Sequence, residues 1–162
     1  MKSWAGLPLG VLAAFALAGC GSSPSSGATR PSSSPVASIA AAKPGCDLVP
    51  GSLVTEKLGI SVGDPRVTAN ALVTTCMYAV GSNPSGVIIR FQIHSDHASF
   101  LNGKANFNST SNVSGVGDEA YSSVLATYTA LIARKGTVEI EITSKAALAA
   151  ERGLMLTLLA EV

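Results

Sequence analysis

Alternation of apolar and polar side chains is the strongest signal in the second half of this chain. From Val87 to His94, Ile89, Phe91 and Ile93 occupy every second position, while Arg90, Gln92 and His94 take the positions between. A two-residue period turns the first set inward on one face of a strand and the second set outward on the other. Thr127 to Arg134 and Thr137 to Thr143 repeat the pattern, with Val138, Ile140 and Ile142 set against Thr137, Glu139, Glu141 and Thr143. Lys135-Gly136 joins them, so this pair reads as a half-buried antiparallel hairpin. Another strand is predicted from Thr74 to Val80, and the turn residues Gly81 to Gly86 would fold it back as a hairpin onto the strand beginning at Val87. Ala120 to Ser123 predicts a short further strand.

Three stretches carry helical spacing instead. Leu53 to Leu58 predicts a short helix with Ser52 as N-cap, Glu56 and Lys57 outward and Gly59 as the stop. Asp96 would cap a second helix, with Phe100 and Leu101 packing inward and an end near Gly103 or Ala105. The polar run from Asn106 to Ser114 follows as a loop. A C-terminal helix would start after Ser144 as N-cap, with Leu148, Met155, Leu158, Leu159 and Val162 on one face. Gly153 inside it costs about 1 kcal/mol relative to Ala, and a close approach of helix to sheet would explain its presence. Hairpins flanked by helices predict an α+β fold: an antiparallel β-sheet packed by a short N-terminal helix, a middle helix and a C-terminal helix. One domain spanning residues 45–162 is the expected folded unit.

The first 44 residues follow a different logic. Met1-Lys2 is basic, an apolar stretch runs from about Leu7 to Leu17, and Leu17-Ala18-Gly19-Cys20 closes it like a bacterial lipobox. The apolar stretch is about half the roughly 20 residues that a membrane-spanning helix needs. Ala16-Leu17-Ala18 would also suit ordinary signal peptidase, but a cysteine at the junction followed by Gly21-Ser22-Ser23 favours lipidation. Only a thiol can form the thioether that carries a diacylglyceryl group. Residues 1–19 are thus expected to be a lipoprotein signal peptide and Cys20 the lipidated N-terminus. Two acyl chains give stable anchoring where one gives only marginal binding. From residue 21 to 44 the chain is Ser, Pro, Ala and Gly with Arg30 and Lys43 as its only charges. It has too little apolar side chain to offset its ordering entropy, and reads as a disordered tether.

Processing changes the charge and cysteine balance. The chain has 11 basic and 10 acidic side chains, and the leader takes Lys2, leaving 10 against 10. Such neutrality gives no electrostatic case for nucleic acid or for an anionic surface. With Cys20 lipidated, Cys46 and Cys76 remain, and in an exported domain they read as one disulfide. No C-x-x-C and no neighbouring His supports a metal or redox pair.

Few residues gather in catalytic or ligand-binding patterns. His94-Ser95-Asp96-His97 is the one compact cluster of catalytic-type residues. A metal reading of His94, Asp96 and His97 lacks a fourth ligand, and a helix cap flanked by two exposed histidines accounts for the same residues. No G-x-S-x-G elbow supports a Ser–His–Asp triad. Gly115-Val116-Gly117-Asp118-Glu119-Ala120 has the letters of a phosphate loop without the strand before it or the helix after it. A glycine turn into an edge strand fits better, with Asp118 and Glu119 on a solvated turn. Asn108 and Asn112 begin N-x-S/T triplets, which mark an exposed loop. No catalytic residue, cofactor or metal site is therefore expected.

Several short motifs together resemble a family. They are the lipobox, the Ser/Pro/Ala tether, Gly45-Cys46-Asp47-Leu48, Thr75-Cys76-Met77-Tyr78, Val116-Gly117-Asp118-Glu119-Ala120-Tyr121 and Arg134-Lys135-Gly136. The chain is similar in these to small lipoproteins of actinobacteria, including mycobacteria, that share a two-cysteine domain of unknown function. Many of those relatives have Trp soon after the second Cys, where Met77-Tyr78 stands here. The resemblance implies an extracytoplasmic, lipid-anchored position at the cell membrane and transfers no catalytic residue. The expected role is non-catalytic binding of an envelope protein or lipid, with no nucleic acid. The alternative is a carrier or chaperone of a lipid or other apolar molecule, holding it in a cavity lined by Ile89, Phe91, Met155 and Leu159. An envelope hydrolase using His94 and His97 is the third reading.

Overall fold

The computed structural model describes residues 43–162. A 3-10 turn, Cys46–Leu48, comes first, followed by helix α1, Gly51–Leu58. Strands β1 (Arg66–Ala69), β2 (Val73–Val80) and β3 (Asn83–Ile93) form a meander that leads into helix α2 (His97–Ala105). A second meander holds β4 (Ser111–Asn112), β5 (Glu119–Leu125), β6 (Tyr128–Lys135) and β7 (Val138–Ser144), and helix α3 (Leu148–Ala160) comes last. β3 and β7 pair antiparallel at the seam, giving a seven-stranded sheet in the order β1-β2-β3-β7-β6-β5-β4. The α+β class expected from the pattern is the observed one, an antiparallel sheet packed by three helices.

The two-residue period sorts side chains cleanly between the faces. Cys76 and Tyr78 of β2, Val87, Ile89 and Phe91 of β3, Leu131 and Ala133 of β6, and Ile140 and Ile142 of β7 share one face. Val54 and Leu58 of α1 and Leu154, Met155, Leu158 and Leu159 of α3 complete that core. α1 packs against α3, and α3 lies over β6 and β7. Burying one large apolar side chain here is worth about 1.5–3 kcal/mol. On the other face Phe100 of α2 meets Tyr121, Ala130 and Ile132, with Phe107 beside them. That smaller cluster lies on β5 and β6. On β2 and β3 the same face carries Thr75, Met77, Ile88, Arg90 and Gln92, all half-buried.

Cys46 and Cys76 form the expected disulfide, with an S–S distance of 2.03 Å and Cα atoms 5.7 Å apart. It ties the 3-10 turn to β2, and Cys76 is fully buried. Cys20, the leader and nearly all of the expected tether lie outside the described residues.

Several local expectations need correction. α1 begins at Gly51 after Pro50, not after a Ser52 cap; proline's restricted φ suits the turn of chain into a helix without a side-chain bond. Gly59 does end it, in the left-handed region, with its N–H bonded to the Thr55 carbonyl. Asp96 caps α2 by accepting from the Ser99 amide at 2.7 Å, but Leu101 is 46% exposed and only Phe100 turns inward. Adjacent helical positions diverge by about 100°, and the Tyr121 cluster lies on one side only. For α3 the cap position is Ala147. Ser144 stays in β7, where its hydroxyl accepts from the Ala146 amide and donates to Glu151. Leu148 is 37% exposed, and Leu154 joins the buried face instead. Gly153 faces open space, so close packing on the sheet does not explain it.

The strands also extend beyond their expected limits. β1 was not anticipated: Arg66-Val67-Thr68-Ala69 alternates over four residues only, and all four are exposed. β3 starts at Asn83 within the expected turn, which shrinks to Gly81-Ser82. Pro84 is tolerated because neither neighbouring strand pairs with it. At Gly86 a Cβ would fall 2.5 Å from that of Val80, which an irregularity between Tyr78 and Val80 brings across the strand. β5 runs on to Leu125, and the expected loop contains β4.

Candidate binding site

Register places four planar polar side chains together on the half-covered face. Arg90 stands opposite Glu141 and Gln92 opposite Glu139. Opposed residues lie about 5 Å apart and alternate residues along a strand about 7 Å apart, so the four mark a small rectangle. Arg90 Nη1 is 3.4 Å from Glu141 Oε2, and its Nη2 donates to the side-chain Oε1 of Gln92. Glu139 is 8% exposed, and its Oε2 accepts from the buried Ser95 hydroxyl at 2.7 Å. Thr143 donates to the other oxygen of Glu141 at 3.3 Å.

α2 and the chain after it wall this rectangle on one side through Ser99, Gly103 and Phe107, enclosing a groove of about 320 Å³. Tyr121 and Ile132 complete its lining. The Tyr121 ring is held edge-on by Phe100 and Phe107, at centroid distances of 5.1 and 5.6 Å. Only 2% of this tyrosine is exposed, yet its hydroxyl makes no hydrogen bond among the described residues. Burial raises its pKa above the ordinary phenol value, and the Glu139 and Glu141 carboxylates add to the rise. The phenol is therefore a firm proton donor facing two carboxylates.

The cluster around residues 94–97 is not brought together as a site. His94 is exposed in the left-handed region at φ 59°. Ser95 is buried against Glu139, and Asp96 is engaged at the α2 cap, where the Ser99 amide holds its carboxyl below the usual range. His97 points elsewhere, with Nδ1 2.8 Å from Glu119 Oε2. Among the described residues no three His, Cys, Asp or Glu side chains could hold a metal ion together.

The expectation of a solvated Asp118-Glu119 turn holds for Asp118 alone. Glu119 is partly buried between His97 and Arg134. Burial works against its charge, but Arg134 and His97 hold its carboxyl below the usual range. Asp118 accepts from the Gly136 amide at 2.7 Å. Gly115 and Gly117 both have positive φ, and a Cβ on Gly117 would fall 2.4 Å from the Arg134 carbonyl oxygen. This tight turn feeds strand β5, and β4 flanks that strand over only two residues. Asn108 and Asn112 are both exposed.

A second cleft of about 640 Å³ opens where the described chain begins. Its apolar lining includes Leu48, Ile93 and Val138, and Lys43, His94 and Glu161 supply charge or hydrogen bonding. Ile89, Phe91, Met155 and Leu159, the residues expected to line an apolar cavity, belong instead to the packed core and border neither space.

No protein-family model matches the chain, and no curated protein matches it. Among solved structures, a GTP binding regulator from Thermotoga maritima is similar at a TM-score of 0.41 and 11% identity. The likeness covers 65% of this chain and 85% of that one, and is too distant to bear on the site.

Proposed function

We propose that this chain is a lipoprotein of the small actinobacterial two-cysteine type. Diacylglyceryl on Cys20 anchors it at the extracytoplasmic face of the cell membrane, and its domain serves as a non-catalytic binding module. The lipobox and the Ser/Pro/Ala run support the anchor. The groove supports the binding role: Arg90, Gln92, Glu139 and Glu141 are held on a rigid sheet beside an unengaged Tyr121 hydroxyl. Ser95 and Thr143, the hydroxyls bonded to Glu139 and Glu141, do not line the groove and Ser95 is fully buried, so the groups that face the groove suit holding a ligand better than transforming one. Preorganised polar groups on rigid strands reduce the ordering cost of binding.

The anchor is tested by feeding cells an alkyne fatty acid and fractionating them. Wild type should take up label and sediment with membranes, while Cys20→Ala should do neither and still form the Cys46–Cys76 bridge. An unlabelled wild type would overturn the anchor. A lipid-carrier role has one supporting observation, the apolar lining of the 640 Å³ cleft. Mass spectrometry of lipids that co-purify with the native protein tests it; an absence of stoichiometric lipid would sink it.

A further inference from the structure

We infer that the groove between α2 and strands β3 and β7 binds a hydroxyl-rich ligand of the oligosaccharide class. The inference rests on reading the groove as a binding site and is independent of the lipid anchor. Four planar groups at the corners of a rectangle match the spread of hydroxyls around one sugar ring. Carboxylates accept, guanidinium donates and a glutamine amide does both, so neighbouring hydroxyls can be met in pairs. The nearly buried Tyr121 adds a donor that no described residue engages. A ligand hydroxyl in the groove would accept from it. Half-buried Phe107 offers apolar surface to the C–H face of a ring.

Charge argues for a neutral ligand. Two carboxylates outnumber the single guanidinium, which disfavours an anion. Arg90 offsets the charge of Glu141, so one carboxylate is left uncompensated, little to hold a cationic peptide, while the lone pairs that Ser95, Arg90 and Thr143 leave unused still accept from neutral hydroxyls.

The test is saturation-transfer NMR on the full chain in phosphocholine micelles, which carry no sugar head groups. The probes are maltotetraose, mannotetraose, chitotetraose and an arabinofuranosyl tetrasaccharide, with tetralysine as the cationic probe. Transfer to at least one tetrasaccharide is expected, weakened about tenfold by Gln92→Ala, with the loss of one to two hydrogen bonds. Tyr121→Phe should weaken it similarly, and His94→Ala, in the other cleft, should leave it unchanged. If Tyr121→Phe fails to fold, Gln92→Ala decides alone. Binding that His94→Ala abolishes and Gln92→Ala spares would overturn the assignment to this groove. Tetralysine binding sensitive to Glu141→Gln, with no sugar bound, would overturn the ligand class and keep the groove as a site. Binding of no probe would overturn both.

Discussion

β3 and β7 carry two unlike surfaces on one pair of backbones. Toward α1 and α3 they present Val87, Ile89, Phe91, Ile140 and Ile142, all fully buried. One residue over, toward solvent and α2, they present Arg90, Gln92, Glu139 and Glu141. The first face stabilises the fold by removing apolar area from water. The second adds little, since a partly exposed pair such as Arg90–Glu141 is worth about 0–1 kcal/mol. The difference shows how a small domain can keep a polar site without losing its fold: the helix-backed face carries the stability, and the other face is free to vary.

Neighbouring substitutions should separate the faces most sharply. Ile142→Ala is expected to cost about 2–5 kcal/mol in urea unfolding, whereas Glu141→Gln next to it should change stability by less than about 0.5 kcal/mol. Similar losses for the two would break the comparison. Replacing Cys46 and Cys76 together by Ala should cost about 3–4 kcal/mol, because their bridge closes a loop of 30 residues on the core side. Unchanged thermal stability of that double variant would count against the bridge as a support of the core.

Among the described residues the core face contains one buried carboxyl, and it makes that face pH-sensitive. Glu151 is fully buried, Ser144 bonds one of its oxygens, and the other has no partner among the described residues. Burial pushes its pKa up to about 8 despite the Ser144 bond. In the unfolded chain the carboxyl loses its proton near its ordinary pKa, while the folded chain keeps it until about pH 8. Stability should therefore fall by a few kcal/mol as pH rises from about 4.5 to 8, then level off. Urea midpoints at pH 5, 7 and 9 measure this, and Glu151→Gln should flatten the profile. The smallest effect concerns the outer side of α3, where Gly153→Ala should stabilise by up to about 1 kcal/mol. A loss on that change would mean that position 153 needs glycine after all.

Side-chain periodicity made the core face legible and left the groove hidden. Alternation in Val87 to His94 and Thr137 to Thr143 separated Ile89 and Phe91 from Arg90 and Gln92, and Ile140 and Ile142 from Glu139 and Glu141. It could not show that β3 lies beside β7, because that pairing joins residues about 50 positions apart. The groove depends on that pairing and on α2 crossing only part of the sheet. Capping signals misled where serine had other work: Ser144 bonds Glu151, and Pro50 starts α1 by backbone geometry alone. The exposed strand β1 alternates over only four residues, with Val67 and Ala69 as its apolar members, too short a rhythm to reveal a strand. Val116 was noticed only as a letter of a motif, and the strand expected from Ala120 to Ser123 did not show that its Tyr121 is buried under α2.

The Cys46–Cys76 bridge has a mechanical consequence. Tension arriving from the N-terminal side passes Lys43 and reaches a covalent branch point three residues later. From Cys46 the force crosses directly to the middle of β2, a strand hydrogen-bonded to β1 on one side and β3 on the other. Residues 47–75, including α1 and β1, sit in a closed loop that the force bypasses. A tug on this end of the chain would be taken up by the sheet and would leave α1 unpeeled.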